Sequence, residues 1–139
     1  MKNYVLDACA IIALFRNEAG AEKVAEIINE AFNGESFVAI NKINALEIYY
    51  DILRDYGKIA ADEFLEALEK LPISIQDKIT NPLFKEAGRF KAYYKISLAD
   101  SIALAEASIN NFALVTADHH EFDAIENSNT EIIAFYWIR

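Results

Sequence analysis

At 139 residues, 54% of them apolar, the chain has material for one well-buried core and too little for two, so a single domain spanning residues 1–139 is expected. A single cysteine, Cys9, excludes an internal disulfide. No apolar run approaches the roughly 20 residues of a membrane span, and a charge arrives too early for a secretory leader, so a cytoplasmic setting without membrane contact is expected. The net charge of −9 is unfavourable for general phosphate binding. One stretch runs the other way: Lys78, Lys85, Arg89, Lys91 and Lys95 surround a lone acid, Glu86. It reads either as a phosphate-contacting helix or as an ordinary solvated face, and charge runs are more often the latter.

The chain opens with a short β-prone run, Tyr4-Val5-Leu6, followed at Asp7 by an apolar segment, Ala8 to Phe15, with helical spacing. Ala21, Val24, Ala25, Ile28 and Phe32 recur at three and four and predict a helix that Asn33-Gly34 ends. A strand over Phe37 to Ile40 follows, then helices over Ile43 to Tyr56 and Ile59 to Leu71, closed by Gly57 and Pro72. Ile73 to Ile75 is a third strand, Pro82 to Tyr94 a helix, and Ser97 to Asn110 a helix apolar on most of its circumference, which requires burial. Phe112 to Val115 predicts a strand, Glu121 to Ile125 a helical turn, and Glu131 to Phe135 the last strand. Strands that alternate with helices and lack polar alternation give an α/β fold with a mostly parallel sheet covered on both faces. Among the larger apolar side chains, Phe15, Tyr49, Tyr50, Leu53 and Tyr56 suit either core or interface, and general burial preference favours core.

Four carboxylates stand out. Asp7 and Asp118 each follow a predicted strand, and in open parallel sheets the carboxyl ends of the strands are where ligands bind. Asp7 equally suits the N-cap of the helix from Ala8, and Asp118 the cap of the turn before Phe122. Asp100 lies at the third position of a helix opened by Ser97, where the helix dipole favours an acid; the apolar helix behind it puts the carboxylate at the edge of the core. Glu47 falls away from the broad apolar stripe of its helix, and periodicity alone places it in solvent. Clustered carboxylates repel unless protons or a cation intervene, and hard divalent cations take such oxygen ligands.

Four segments in order, Val5-Leu6-Asp7-Ala8-Cys9-Ala10, Asn44-Ala45-Leu46-Glu47-Ile48, Ser97-Leu98-Ala99-Asp100-Ser101-Ile102 and Leu114-Val115-Thr116-Ala117-Asp118-His119-His120-Glu121-Phe122, resemble the motifs of PIN domains. In length the chain is similar to the VapC toxins of toxin–antitoxin pairs. The resemblance implies a three-layer α/β/α sandwich with a mostly parallel four- or five-stranded sheet. It assigns Asp7, Glu47, Asp100 and Asp118 to a site for Mg2+ or Mn2+, with Thr116 orienting Asp118 and Asp123 as an outer residue. It further implies an RNA substrate cut by metal-assisted hydrolysis to a 5′-phosphate and a 3′-hydroxyl, a homodimer, and inhibition by a small antitoxin protein.

Two other chemistries fit less well. Metal-free RNA cleavage needs two groups bracketing the phosphate, but the only histidines, His119 and His120, are neighbours whose side chains diverge. An aspartyl-nucleophile phosphatase usually has a second acid two residues after the first, where this chain has Cys9; that thiol reads as a small core group near the strand end. A PIN-like RNA- or protein-binding module without activity remains as the alternative from another class.

Overall fold

The computed structural model describes all 139 residues. In chain order the elements are β1 (Lys2–Leu6), α1 (Ala8–Arg16), α2 (Ala21–Phe32), β2 (Ser36–Asn41), α3 (Lys42–Tyr56), α4 (Lys58–Lys70), β3 (Ser74–Gln76), α5 (Asn81–Tyr93), α6 (Leu98–Asn110), β4 (Ala113–Thr116), α7 (His119–Asn127) and β5 (Phe135–Trp137). All five strands pair in parallel, in the order β3-β2-β1-β4-β5. Val5 lies opposite Ala39 and Leu6 opposite Val115, so the strand ends form one edge.

Because side chains alternate across a strand, each central strand feeds two cores. Tyr4, Leu6, Val38, Ile40 and Val115 pack with α1, α2 and α4 on one face, where Ile11, Val24, Ile27, Phe64 and Leu68 are buried. Val5 and Leu114 point the other way, into Leu83, Phe90, Leu104, Phe122 and Ile125 from α5, α6 and α7. This is the expected three-layer sandwich. The expected burial of α6 holds: Ala99 and the whole run Ser101 to Ala107 are buried.

Helix boundaries follow local chemistry. Asp7, Asn41, Thr80 and Ser97 cap helices through side-chain oxygens, while Asn17 and Asn111 end α1 and α6 in the left-handed conformation that asparagine tolerates. Gly20 is required by both backbone and space. Its φ is 96°, and a Cβ there would come within 2.6 Å of the Ile138 carbonyl oxygen.

Two expectations are corrected. The last strand is Phe135–Trp137, not Glu131 to Phe135. Ile132 is 98% exposed and Glu131 is held by Arg89 and Tyr94, away from strand pairing. Next, Phe15, Tyr50, Leu53 and Tyr56 are exposed and not core, because α1 and α3 turn these positions outward, Phe15 and Tyr56 onto a cleft; Tyr49 is half-buried, its hydroxyl donating to Asp62. In the basic stretch the one arginine is paired with acids. Arg89 makes paired contacts to Glu86 and Glu131 at 2.7–3.2 Å, leaving Lys78, Lys85, Lys91 and Lys95 solvated.

Candidate active site

From β1 the chain proceeds to β2 on one side, while β4 lies on the other, so the sheet reverses direction between β1 and β4. Such a switch point opens a crevice at the carboxyl edge. Asp7 stands there with 1% exposure. Its Oδ1 accepts from the Ala10 amide at 2.9 Å, and its Oδ2 accepts from the Thr116 hydroxyl at 2.5 Å. Thr116 Oγ1 in turn accepts from the Asp118 amide at 3.0 Å. Thr116 therefore reaches Asp118 through its backbone and Asp7 through its carboxylate. Burial pushes the Asp7 carboxyl up to about 7; the bonds from Thr116 and Ala10 oppose this, and the charges of Asp100 and Asp118 add to it.

Asp100, Asp118 and Glu121 each offer an oxygen, and these oxygens lie within 4.8 Å of one another. Asp100 stands on the first turn of α6, its amide donating to Ser97 Oγ at 3.1 Å. Burial pushes its carboxyl up to about 6, against the Ser97 bond and with help from Asp118, Glu121 and Glu47. Asp118 caps α7, its Oδ1 accepting from the Glu121 amide at 3.1 Å. The helix N-terminus favours the negative charges placed there.

Glu47 is half-buried, although its periodicity reads as solvent. Helix α3 lies between α1 and α6, and the buried Asn44 donates to the Ala99 carbonyl at 3.0 Å, drawing this part of α3 toward Asp100. Burial raises the Glu47 carboxyl above its ordinary value, followed by the charges of Asp51, Asp118 and Glu121. Of the four acids picked out in the sequence, Asp100 and Asp118 sit together in the tightest group, and Asp7 and Glu47 lie outside it but within electrostatic reach of its members.

Glu121 was not among the sequence candidates. The available signal was its place three residues after the N-cap Asp118, the spacing of a capping box. In that motif the glutamate would bond the cap amide, but Thr116 already takes it, which leaves the Glu121 carboxylate to the cluster. Asp123 is directed elsewhere: it is half-exposed and bonds His119 Nδ1 at 2.8 Å. His120 is exposed. Burial, then the Asp7 charge, pushes the Cys9 thiol up to about 11, which suits an inert group.

No lysine, arginine or histidine forms a salt bridge with Asp7, Glu47, Asp100, Asp118 or Glu121. Uncompensated carboxylates this close favour uptake of protons or of a cation. An all-oxygen donor set suits a hard divalent ion, so these residues fit Mg2+ or Mn2+.

Fold and edge together define a parallel α/β/α sandwich with a cluster of acids at its switch point. The chain belongs to the PIN domain family, whose model matches residues 4–127. Among solved structures it is similar to a toxin–antitoxin complex from Klebsiella pneumoniae, at TM-score 0.70 and 19% identity over 98% of each chain. It is similar to VapBC2 from Rickettsia felis bound to a promoter DNA fragment, at TM-score 0.71 and 17% identity over 96% of this chain and 97% of that one. It also resembles the sarcin-ricin-loop-cleaving VapC toxin of Mycobacterium tuberculosis, at TM-score 0.63 and 12% identity over 93% and 96%. No curated protein matches the sequence.

Proposed function

We propose that this protein is a Mg2+- or Mn2+-dependent endoribonuclease acting as the toxin of a toxin–antitoxin pair in the cytoplasm. The observation that carries the reading is the convergence of Asp100, Asp118 and Glu121 within 4.8 Å, beside buried Asp7, with no cationic side chain to neutralise them. Asp7, Asp100, Asp118 and Glu121 would hold the ion, with Glu47 at the margin. A bound divalent ion supplies polarisation of a phosphoryl oxygen and a water of lowered pKa. The chain's own residues prepare the place for it. Thr116 and the Ala10 amide fix both oxygens of Asp7, and Ser97 fixes the first turn that carries Asp100. Burial and the neighbouring acids hold the Asp100 carboxyl above its ordinary value in the metal-free protein, so uptake of an ion there would displace a proton.

The solved toxin–antitoxin relatives support a protein partner. An acidic chain of net charge −9 suits a small basic antitoxin. The cleft of about 420 Å³ lined by Phe15, Ile52, Tyr56 and Phe64 offers it apolar anchorage. Exposed Ile79, Phe84 and Leu98 near α5 leave surface for a second copy, as a homodimer requires.

The test is cleavage of single-stranded and structured RNAs with Mn2+ or Mg2+, then with EDTA. Metal-dependent cutting that disappears in Asp7→Asn and Asp100→Asn supports the reading. Cleavage absent under all conditions, or unchanged in both variants, would leave a binding module in its place.

A further inference from the structure

Three carboxylates held within 4.8 Å repel, and two of them, Asp118 and Glu121, stand on the first turn of a nine-residue helix that buries only Phe122 and Ile125. Something on the far side of α7 must hold that turn in place. His119, between them, meets the end of the chain. Its ring stacks on Trp137 with centroids 3.9 Å apart and planes 10° from parallel. Its Nε2 lies 2.8 Å from the Arg139 backbone oxygen. At 100° per residue, Glu121 projects about 200° around the helix from His119, so one side of the turn faces the acids and the other faces β5.

The segment His119 leans on is itself anchored. Ile138 donates its amide to the Thr116 carbonyl at 3.1 Å and is buried against Gly20. Arg139 donates to the Ala19 carbonyl at 2.7 Å and lies 3.7 Å from Glu18. Trp137 Nε1 donates to Glu126, farther along α7, at 3.0 Å. The contacts run from the α1–α2 connection through residues 137–139 to His119 and then to Asp118 and Glu121. Residues 128–139 lie beyond the segment matched by the family model.

We infer that His119 is a positioning residue: clamped between Trp137 and Arg139, it holds the first turn of α7 so that Asp118 and Glu121 keep their places against mutual repulsion. The inference rests on the metal-site reading above, but one of its tests does not need a metal. In the full-length protein, His119→Ala accelerates hydrogen exchange at the Glu121 amide, which is bonded to Asp118, and leaves the Asp100 amide, capped by Ser97, unchanged. In calorimetric titration with Mn2+ alone, His119→Ala and Trp137→Ala each weaken affinity by about tenfold or more, the usual scale for a residue supporting metal ligands. Trp137→Phe, which keeps a stacking ring, restores affinity. Arg89→Gln, which loosens residue 131 without touching His119, leaves it within twofold.

Unchanged Glu121 exchange in His119→Ala overturns the inference, as does equal loss of Mn2+ affinity in Arg89→Gln, which would reduce the clamp to general stability. Should His119→Ala fail to fold, His119→Gln and Trp137→Ala carry the same comparisons. A wild-type protein that binds no Mn2+ defeats the nuclease reading alone, since the exchange comparison still decides the clamp.

Discussion

The Thr116 hydroxyl donates to Asp7 Oδ2 at 2.5 Å while its oxygen accepts from the Asp118 amide at 3.0 Å, so one side chain joins the ends of β1 and β4. The two strands are separated by more than a hundred residues, yet Leu6 pairs with Val115, and the acids that follow them meet across a single hydroxyl. Thr116→Val, nearly the same shape without the hydroxyl, should leave the fold intact and reduce cleavage and Mn2+ affinity together. A parallel loss in both measurements is the expected result.

Asp7 is where stability and chemistry conflict. Its carboxyl has the burial of a core group and no cationic partner, so Asp7→Asn should remove an uncompensated charge while keeping the bond from Ala10, with the new amide NH2 donating to Thr116 Oγ1 in place of the bond Asp7 accepted. At pH 8 without metal, the variant should melt higher than wild type by a few degrees, and cleavage should fall by at least about a hundredfold, as loss of a directly acting charged group typically costs. Thermal melts and initial rates check both parts.

The pH dependence of the metal-free protein follows from the same group. Asp7 titrates near 3.8 when unfolded and near 7 when folded, so the unfolded state binds fewer protons between those values. Stability is fully present below about pH 4 as far as this group is concerned, and is lost as pH rises through 7. Asp100, raised to about 6, acts in the same direction. Opposing contributions from Glu86 and Glu131, whose carboxyls are held below the ordinary range by Arg89, are largely complete by pH 5. Melts between pH 5 and 8 should therefore show falling stability, and the rise in melting temperature on adding Mn2+ should grow with pH, because ion and protons compete for the same oxygens.

Glu121 and Asp123 lie two residues apart on α7 and should behave differently. Glu121→Gln replaces one of the three converging carboxylates with a neutral amide and should weaken Mn2+ binding by roughly tenfold. Asp123→Asn retains a partner for His119 Nδ1 and should change affinity by less than about threefold. Calorimetry on the two variants separates them without RNA.

Arg89 should matter for stability and not for cleavage. It bridges Glu86, 20% exposed, and Glu131, 11% exposed, and fixes the segment leading into β5. Arg89→Gln leaves both acids short of their cation and should cost about 1–3 kcal/mol, the usual cost of leaving partly buried groups unpaired. If RNA cleavage per folded molecule also collapsed, the guanidinium would belong to substrate binding after all.

The sequence by itself determined the layered architecture, because the spacing of apolar residues reflects local rules: a strand alternates its faces, a helix repeats near every fourth residue, and α6, apolar nearly all round, had to be buried. It also placed Asp7 and Asp118 just past strands, since the β-prone runs Tyr4-Val5-Leu6 and Phe112-Ala113-Leu114-Val115 give way there to turn and helix. Grouping Glu47 with them came from motif order, not from periodicity, which put it in solvent. What only the tertiary structure decided was which groups meet. Asn44 draws α3 onto α6 and carries Glu47 toward Asp100; Thr116 takes the Asp118 amide and frees Glu121; Glu131, read as strand, is spent on Arg89. The first and the last of these depend on contacts between residues more than forty positions apart, which a local pattern does not connect. That is why the elements were legible one by one, while Glu121 and the His119–Trp137 clamp came into view only with the chain folded.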